Sequence, residues 1–266
     1  MLGFGVAATV ASCGLALLKS ERTKASPRRA SVGRPDPELV KDLAYANRIL
    51  YHRGVLDAYG HVSVRHDKDP KRFLLSRNMA PALVTPKDIL EHDLEGEPIQ
   101  PGSRVYIERF IHAGIYRARP DVISIVHSHS PSVIPFGVTG TDLRPICHVG
   151  GFLGWGAPIF EIRDVGGMTD MLIRDNKLAD ALAKTLGNSF ATILRGHGSV
   201  VTGNSVQQAV WRAIYAEVNA RLQLEATRLG PINFLMPEEA AKASDVNDTQ
   251  IPRAWELWKM QVGKLG

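Results

Sequence analysis

Two short apolar runs constrain this chain more than any other feature. Val122-Ile123-Ser124-Ile125-Val126 leads directly into His127-Ser128-His129, and Phe190-Ala191-Thr192-Ile193-Leu194 leads into Arg195-Gly196-His197-Gly198. Runs of this length, rich in β-branched residues and lacking polar alternation, read as strands buried on both faces. Interior strands need helices to cover them, and the sequence supplies several. Leu39, Leu43, Ala46, Ile49 and Leu50 recur at helical spacing behind Asp36-Pro37-Glu38, an N-cap, a first-turn proline and a first-turn acid, until Gly54. Further helices are expected from Ser103 through Tyr116, over Asp175 to Leu186, from Ser205 to Leu229, and within Pro237 to Val262. His61 to His66 and Phe73 to Ser76, split by Asp67-Lys68-Asp69-Pro70, read as a hairpin. The expected fold class is α/β, one sheet covered by helices.

With 266 residues, 44% of them apolar, the chain is long enough for one substantial core and too short for several. One domain is expected over residues 36–266. The formal charge of +5 invites a nucleic-acid partner, but it lies entirely in residues 1–35, where Lys19, Arg22, Lys24, Arg28, Arg29 and Arg34 face only Glu21. The rest of the chain is electrically balanced, which removes the argument for a polyanion. Residues 2–18 are apolar and uncharged, and the basic segment that follows them gives residues 1–35 the shape of a leader. Two expectations follow: export to the periplasm if residues 1–30 are a signal shortened at its start, and a cytoplasmic protein otherwise. Membrane contact is expected only through this leader. Cys13 and Cys147 make neither a disulfide framework nor a cysteine metal knuckle.

The chemistry sits where the strands end. Residues i and i+2 of an extended segment point the same way, so His127 and His129 can turn their rings toward one ion. The glycines flanking His197 let the backbone bring a third imidazole to them. Three imidazoles with an open position suit a catalytic zinc, manganese, iron or cobalt site.

Gly60-His61-Val62-Ser63-Val64-Arg65, Arg119-Pro120-Asp121, Val126-His127-Ser128-His129 and Leu194-Arg195-Gly196-His197-Gly198, in that order, resemble the class II aldolase/adducin family. The likeness runs roughly from Pro37 to Leu229. It implies an α/β/α fold around a largely antiparallel sheet, a homotetramer, and one divalent ion per subunit. It also implies that His127, His129 and His197 are metal ligands, and that Glu108 either ligates the ion or moves protons. In sugar-phosphate members an Asn, a Thr-Gly pair and two serines cradle the phosphate. Here His61, Asn78-Met79 and Tyr106-Ile107 stand in those places, and most of the donors a phosphate needs are gone.

The replacements suit a small-molecule acid. Arg65 and Arg77 offer forks for a carboxylate, Tyr106 an aromatic wall, and His61 a further polar contact. The run Phe73 to Pro81, with Ile146-Cys147-His148, resembles the branch that decarboxylates hydroxylated aromatic acids such as dihydroxyphthalate or hydroxypyridine-dicarboxylate. The expected activity is therefore that of a metal-dependent lyase, with Glu108, His148 or His61 protonating the ring carbon. Two alternatives remain: an aldolase or epimerase on a non-phosphorylated sugar or hydroxy acid, and a non-catalytic adducin-like binding module. His112 reads as helix packing, and His52, His66 and His92 as solvated. Trp211, Trp255 and Trp258 read as core or subunit contact.

Overall fold

The computed structural model describes residues 33–265, together with residues 1 and 3; the leader expected over residues 1–35 lies otherwise outside the described residues. The chain runs through α1 (Pro37–His52), β1 (His61–Arg65), β2 (Arg72–Ser76), β3 (Ile89–Asp93), α2 (Arg109–Ala118) and β4 (Ser124–Ser128). It continues through β5 (Ile159–Phe160), α3 (Arg163–Gly166), α4 (Asn176–Leu186), β6 (Ala191–Leu194) and β7 (Gly198–Gly203). The helices α5 (Val206–Leu229), α6 (Pro237–Asp248) and α7 (Ile251–Val262) complete it. The helix starts follow the expected chemistry. Asp36, Asp175 and Ser205 each accept a bond from a backbone N–H of their own first turn.

The seven strands form one sheet in the order β3-β2-β1-β4-β7-β6-β5, antiparallel throughout except for the β5–β6 pair. Alternation along each strand divides the core in two. Val62, Val64, Leu74, Val126 and Val201 pack with Leu43, Ile49, Trp211, Trp255 and Trp258 of α1, α5 and α7. Phe73, Leu75, Ile125 and Val200 pack with Ile111, Ile115, Leu178 and Leu182 of α2 and α4. The result is the α/β/α sandwich, with helices on both faces of the sheet. Among the described residues no helix is long and apolar enough to cross a membrane.

Several expectations need correction. The helix drawn from Ser103 begins at Arg109, because Tyr106 docks its hydroxyl on the Met79 carbonyl (2.7 Å) and holds the preceding segment out of helical geometry. The C-terminal helix is two helices: Pro252, in the first turn of α7, cannot continue a helix from α6. His66 and His92 are buried, not solvated. The strands β3 and β7 had no counterpart in the sequence reading.

Candidate metal centre

Pairing in the sheet sets the site. In the β1–β4 register His61 stands opposite His127, and in the β4–β7 register His127 stands opposite Val200. His127 therefore emerges on the face covered by α2, and the β6–β7 turn delivers His197 beside it. Two glycines permit this crowding. A Cβ at Gly198 would collide with the Ser128 carbonyl oxygen, and one at Gly60, whose φ is +85°, would come within 2.8 Å of the His127 carbonyl oxygen.

Glu108 caps α2 at its N-terminus and turns its carboxylate into the histidines. Its Oε2 lies 3.5 Å from His127 Nε2 and 3.4 Å from His197 Nε2, while Oε1 accepts the Ile173 N–H at 3.0 Å. One ligand atom from each of Glu108, His127, His129 and His197 lies within 4.8 Å of the others. Backbone carbonyls fix two of the rings. His127 Nδ1–H donates to the Ser199 oxygen (3.1 Å) and His197 Nδ1–H to the Met171 oxygen (3.0 Å). Both Nε2 atoms are thereby turned inward, and in a neutral ring each is a lone pair free for a cation. Met171 holds a left-handed backbone (φ 67°) to present that carbonyl.

The donors fit a cation. His127 Nε2 is buried with no hydrogen-bond partner, and His129 Nε2 faces His197 Nε2 at 3.1 Å. A positive charge among these atoms satisfies all of them at once, and three nitrogens with one carboxylate oxygen suit Zn²⁺ or Mn²⁺. The electrostatics agree. Burial favours the neutral acid at Glu108, yet the neighbouring His127 and His197 rings outweigh it and hold the carboxyl far below its ordinary range, while the same carboxylate raises His197 above its own. Burial, reinforced by His127 and His197, lowers His129 to about 4, which leaves its ring neutral and able to donate a lone pair. A carboxylate held ionised in this way suits a metal ligand better than the proton donor that burial alone would make of it.

A cavity of about 710 Å³ opens beside the cluster, with His61, Tyr106, Arg77, Arg104, Met79 and Leu172 among its walls. Arg77 keeps its place there, its Nε donating to Asp88 at 2.8 Å. Arg104 is a second guanidinium at the rim that the sequence reading passed over, hidden by the helix drawn from Ser103. Tyr106 contributes its ring, 4.5 Å from that of His61, but its hydroxyl is committed to Met79 and Ser76. It is a wall, with no free hydroxyl tip.

Two sequence candidates lie elsewhere. Arg65 stands at the far end of β1 from His61, four strand residues or about 13 Å away. There it donates to the carbonyls of Val122, Pro70, Tyr116 and Arg119 at 2.7–3.0 Å. It ties the backbone together and does not line the cavity. His148 is exposed, at the start of a two-turn 3-10 segment (His148–Leu153), and its carbonyl accepts a bond from Asn247 of α6. It too is outside this chain's cavity. Conversely, His112 is more than packing. It is fully buried on α2 and joins His61 to Ser63 by contacts of 2.6 Å on each side. Its position four residues after Glu108 on one helical face was the available signal.

The model of the Class II Aldolase and Adducin N-terminal domain matches residues 41–224. The decarboxylase TropJ of Talaromyces stipitatus is 37% identical over 239 residues, covering 80% of this chain and 90% of that protein. The 3,4-dihydroxyphthalate decarboxylase of Terrabacter sp. is 34% identical, covering 84% and 95%. In fold, an L-fuculose 1-phosphate aldolase from Glaciozyma antarctica aligns with a TM-score of 0.71 at 23% identity, over 91% of this chain and 96% of that one.

Proposed function

The chain belongs to the class II aldolase and adducin family, and on that premise we propose that it is a metal-dependent lyase that decarboxylates a hydroxylated aromatic or heteroaromatic acid. One observation carries the reading. A cluster of three inward-facing imidazoles and a carboxylate borders a cavity that is also lined by two guanidiniums, Arg77 and Arg104. Cation-binding and anion-binding groups in one space suit a substrate with adjacent oxygen donors and a carboxylate. The relatives named decarboxylases support that choice over a sugar phosphate.

Glu108, His127, His129 and His197 would hold a divalent ion, whose positive charge would stabilise the electron density left on the ring as CO2 departs. The protein does the rest. Glu108 offsets the ion's charge, and the carbonyls of Ser199 and Met171 keep His127 and His197 in the ligating tautomer. Arg77 and Arg104 hold the acid against the ring of Tyr106, and Met79 and Leu172 narrow the access of water. Of the three side chains read from the sequence as acids, His61 faces the cavity, Glu108 is held ionised, and His148 is remote.

Zn²⁺ or Mn²⁺ suits the donor set, with Fe²⁺ or Co²⁺ accepted by the same ligands. The homotetramer is part of the proposal, and the exposed Trp155, Met168 and Leu229 are apolar side chains that subunit contacts can cover. The test is incubation of the metal-loaded protein with 3,4-dihydroxyphthalate, following CO2 and the mass of the product. Release of CO2 with loss of one carboxyl supports the reading. A metal-loaded protein that leaves such acids intact but cleaves ketoses or hydroxy acids replaces it with the aldolase alternative.

A further inference from the structure

A line of polar groups runs through the otherwise apolar layer between β1 and α2 and ends at the cavity. Tyr116 Oη lies 2.8 Å from Ser63 Oγ, Ser63 Oγ 2.6 Å from His112 Nδ1, and His112 Nε2 2.6 Å from His61 Nδ1. Tyr116, Ser63, His112 and His61 are all buried. Burying such a line costs stability unless every member is satisfied, so its retention calls for a reason. The far end supplies one: His61 belongs to the cavity wall, and its Nε2 is bonded to no other group among the described residues.

The protons on this line have one favoured direction. A hydroxyl has a single hydrogen to give and can accept two. Tyr116 has two acceptors in reach, Ser63 Oγ at 2.8 Å and the Ile123 carbonyl at 3.3 Å. The Ser63 contact is the shorter by half an ångström and that carbonyl already accepts the Arg65 N–H at 2.7 Å, so the single Tyr116 hydrogen is assigned to Ser63. The Ser63 hydrogen then goes to its remaining neighbour, His112 Nδ1. With Nδ1 accepting, the neutral His112 ring carries its hydrogen on Nε2 and donates to His61 Nδ1. With its own Nδ1 accepting, His61 carries its hydrogen on Nε2, inside the cavity.

We infer that Tyr116, Ser63 and His112 are positioning residues that lock His61 in the Nε2–H tautomer, so that it gives a hydrogen bond to an anionic oxygen of the substrate. The two nitrogens facing each other at 2.6 Å share one proton, so one of the two rings must accept at that contact. The opposite tautomer would present a lone pair to that oxygen and repel it. No bond to carbon is made or broken in this role; the line sets the polarity of one contact. The inference rests on the proposed substrate class, an acid held in this cavity, but its structural half does not.

Nuclear magnetic resonance of the full, zinc-loaded chain labelled with ¹⁵N at histidine reads the tautomers without any substrate. His61 and His112 should each carry a single proton, on Nε2. Ser63→Ala, or Tyr116→Phe if the first does not fold, should shift His61 toward the Nδ1–H form. The same variants should raise KM for 3,4-dihydroxyphthalate at least about tenfold, the worth of one hydrogen bond to a charged oxygen. His61→Gln, which brings its own amide donor, should make KM indifferent to Ser63→Ala, a coupling that a purely structural role for Ser63 does not produce. A proton on Nδ1 of His61 in the wild-type protein overturns the inference and leaves the decarboxylase reading standing. So does a tautomer or KM that Ser63→Ala and Tyr116→Phe leave unchanged. The expected tautomers in a protein inert toward the acid refute the substrate class and leave the lock in place.

Discussion

Replacing Arg65 with methionine separates a structural role from a substrate-binding one. The guanidinium, 7% exposed, donates four bonds to carbonyls of the turn after β1, the last turn of α2 and the α2–β4 connection, and lies 4.6 Å over the Tyr116 ring. Each bond from a charged donor is worth about 1.5–3 kcal/mol, and the cost of dehydrating the guanidinium offsets a large part of the sum. Methionine fills the same volume but leaves buried carbonyls unpaired, for a net loss of about 4 kcal/mol, within the range for breaking a buried charged network. In a domain of this size each kcal/mol lowers Tm by roughly 2–4 °C, so the variant should melt about 8–16 °C lower. The assay is thermal unfolding of the wild-type and Arg65→Met proteins at equal metal load, alongside KM for 3,4-dihydroxyphthalate on the folded variant. A large drop in Tm with KM within a factor of about two agrees with the geometry. An unchanged Tm with KM raised tenfold or more would refute it and restore Arg65 to the substrate.

Three further predictions come from other parts of the molecule. Arg104→Ala, at the exposed cavity rim, should raise KM for a dicarboxylate about tenfold and leave Tm unchanged, read by steady-state kinetics and melting. Gly198→Ala drives a methyl group into the Ser128 carbonyl oxygen and must push β7 from β4, so it should weaken metal retention and lower the denaturation midpoint, as dialysis against a chelator and urea titration would show. Burial, aided by Arg109, lowers His92 to about 4 in the folded protein. The unfolded chain, with its ordinary value near 6.5, therefore binds that proton first. Stability contributed by neutral His92 is complete above pH 6.5 and is lost by about 3 kcal/mol as pH falls from 6.5 through 4. Urea unfolding of wild type and His92→Phe across that window should give a shallower slope for the variant.

What the sequence disclosed and what it hid have physical reasons. His127 and His129 could be placed on one site because the spacing of two in a strand is local geometry, and the glycines around His197 announced a tight approach. The shared face of His61, Ser63 and Arg65 was equally legible, but distance along the strand was not weighed. The same alternation that aims His61 at the cavity sets Arg65 at the opposite end of β1, where the nearest acceptors are backbone carbonyls. Strand β3 escaped notice because Glu91 and Asp93 make it look like a solvated turn, whereas Glu91 pairs across the edge with Arg72 at 3.0 Å. Strand β7 is bounded by Gly198 and Gly203, punctuation that reads as loop. The false start at Ser103 came from a plausible N-cap that the docking of Tyr106 on Met79 overrides, and that contact joins residues far apart in sequence. The line from His61 to Tyr116 likewise depends on α2 lying across β1.

The central claim is that Glu108, His127, His129 and His197 together hold the ion on which catalysis depends. Elemental analysis of the purified protein after reconstitution with Zn²⁺ or Mn²⁺, compared with His127→Ala and His129→Ala variants treated identically, tests it most directly. The wild-type protein should hold about one ion per chain and either folded variant little, with CO2 release lost in step. A wild-type chain that takes up no ion, or variants that retain it in full, would show that these four side chains do not form the metal site.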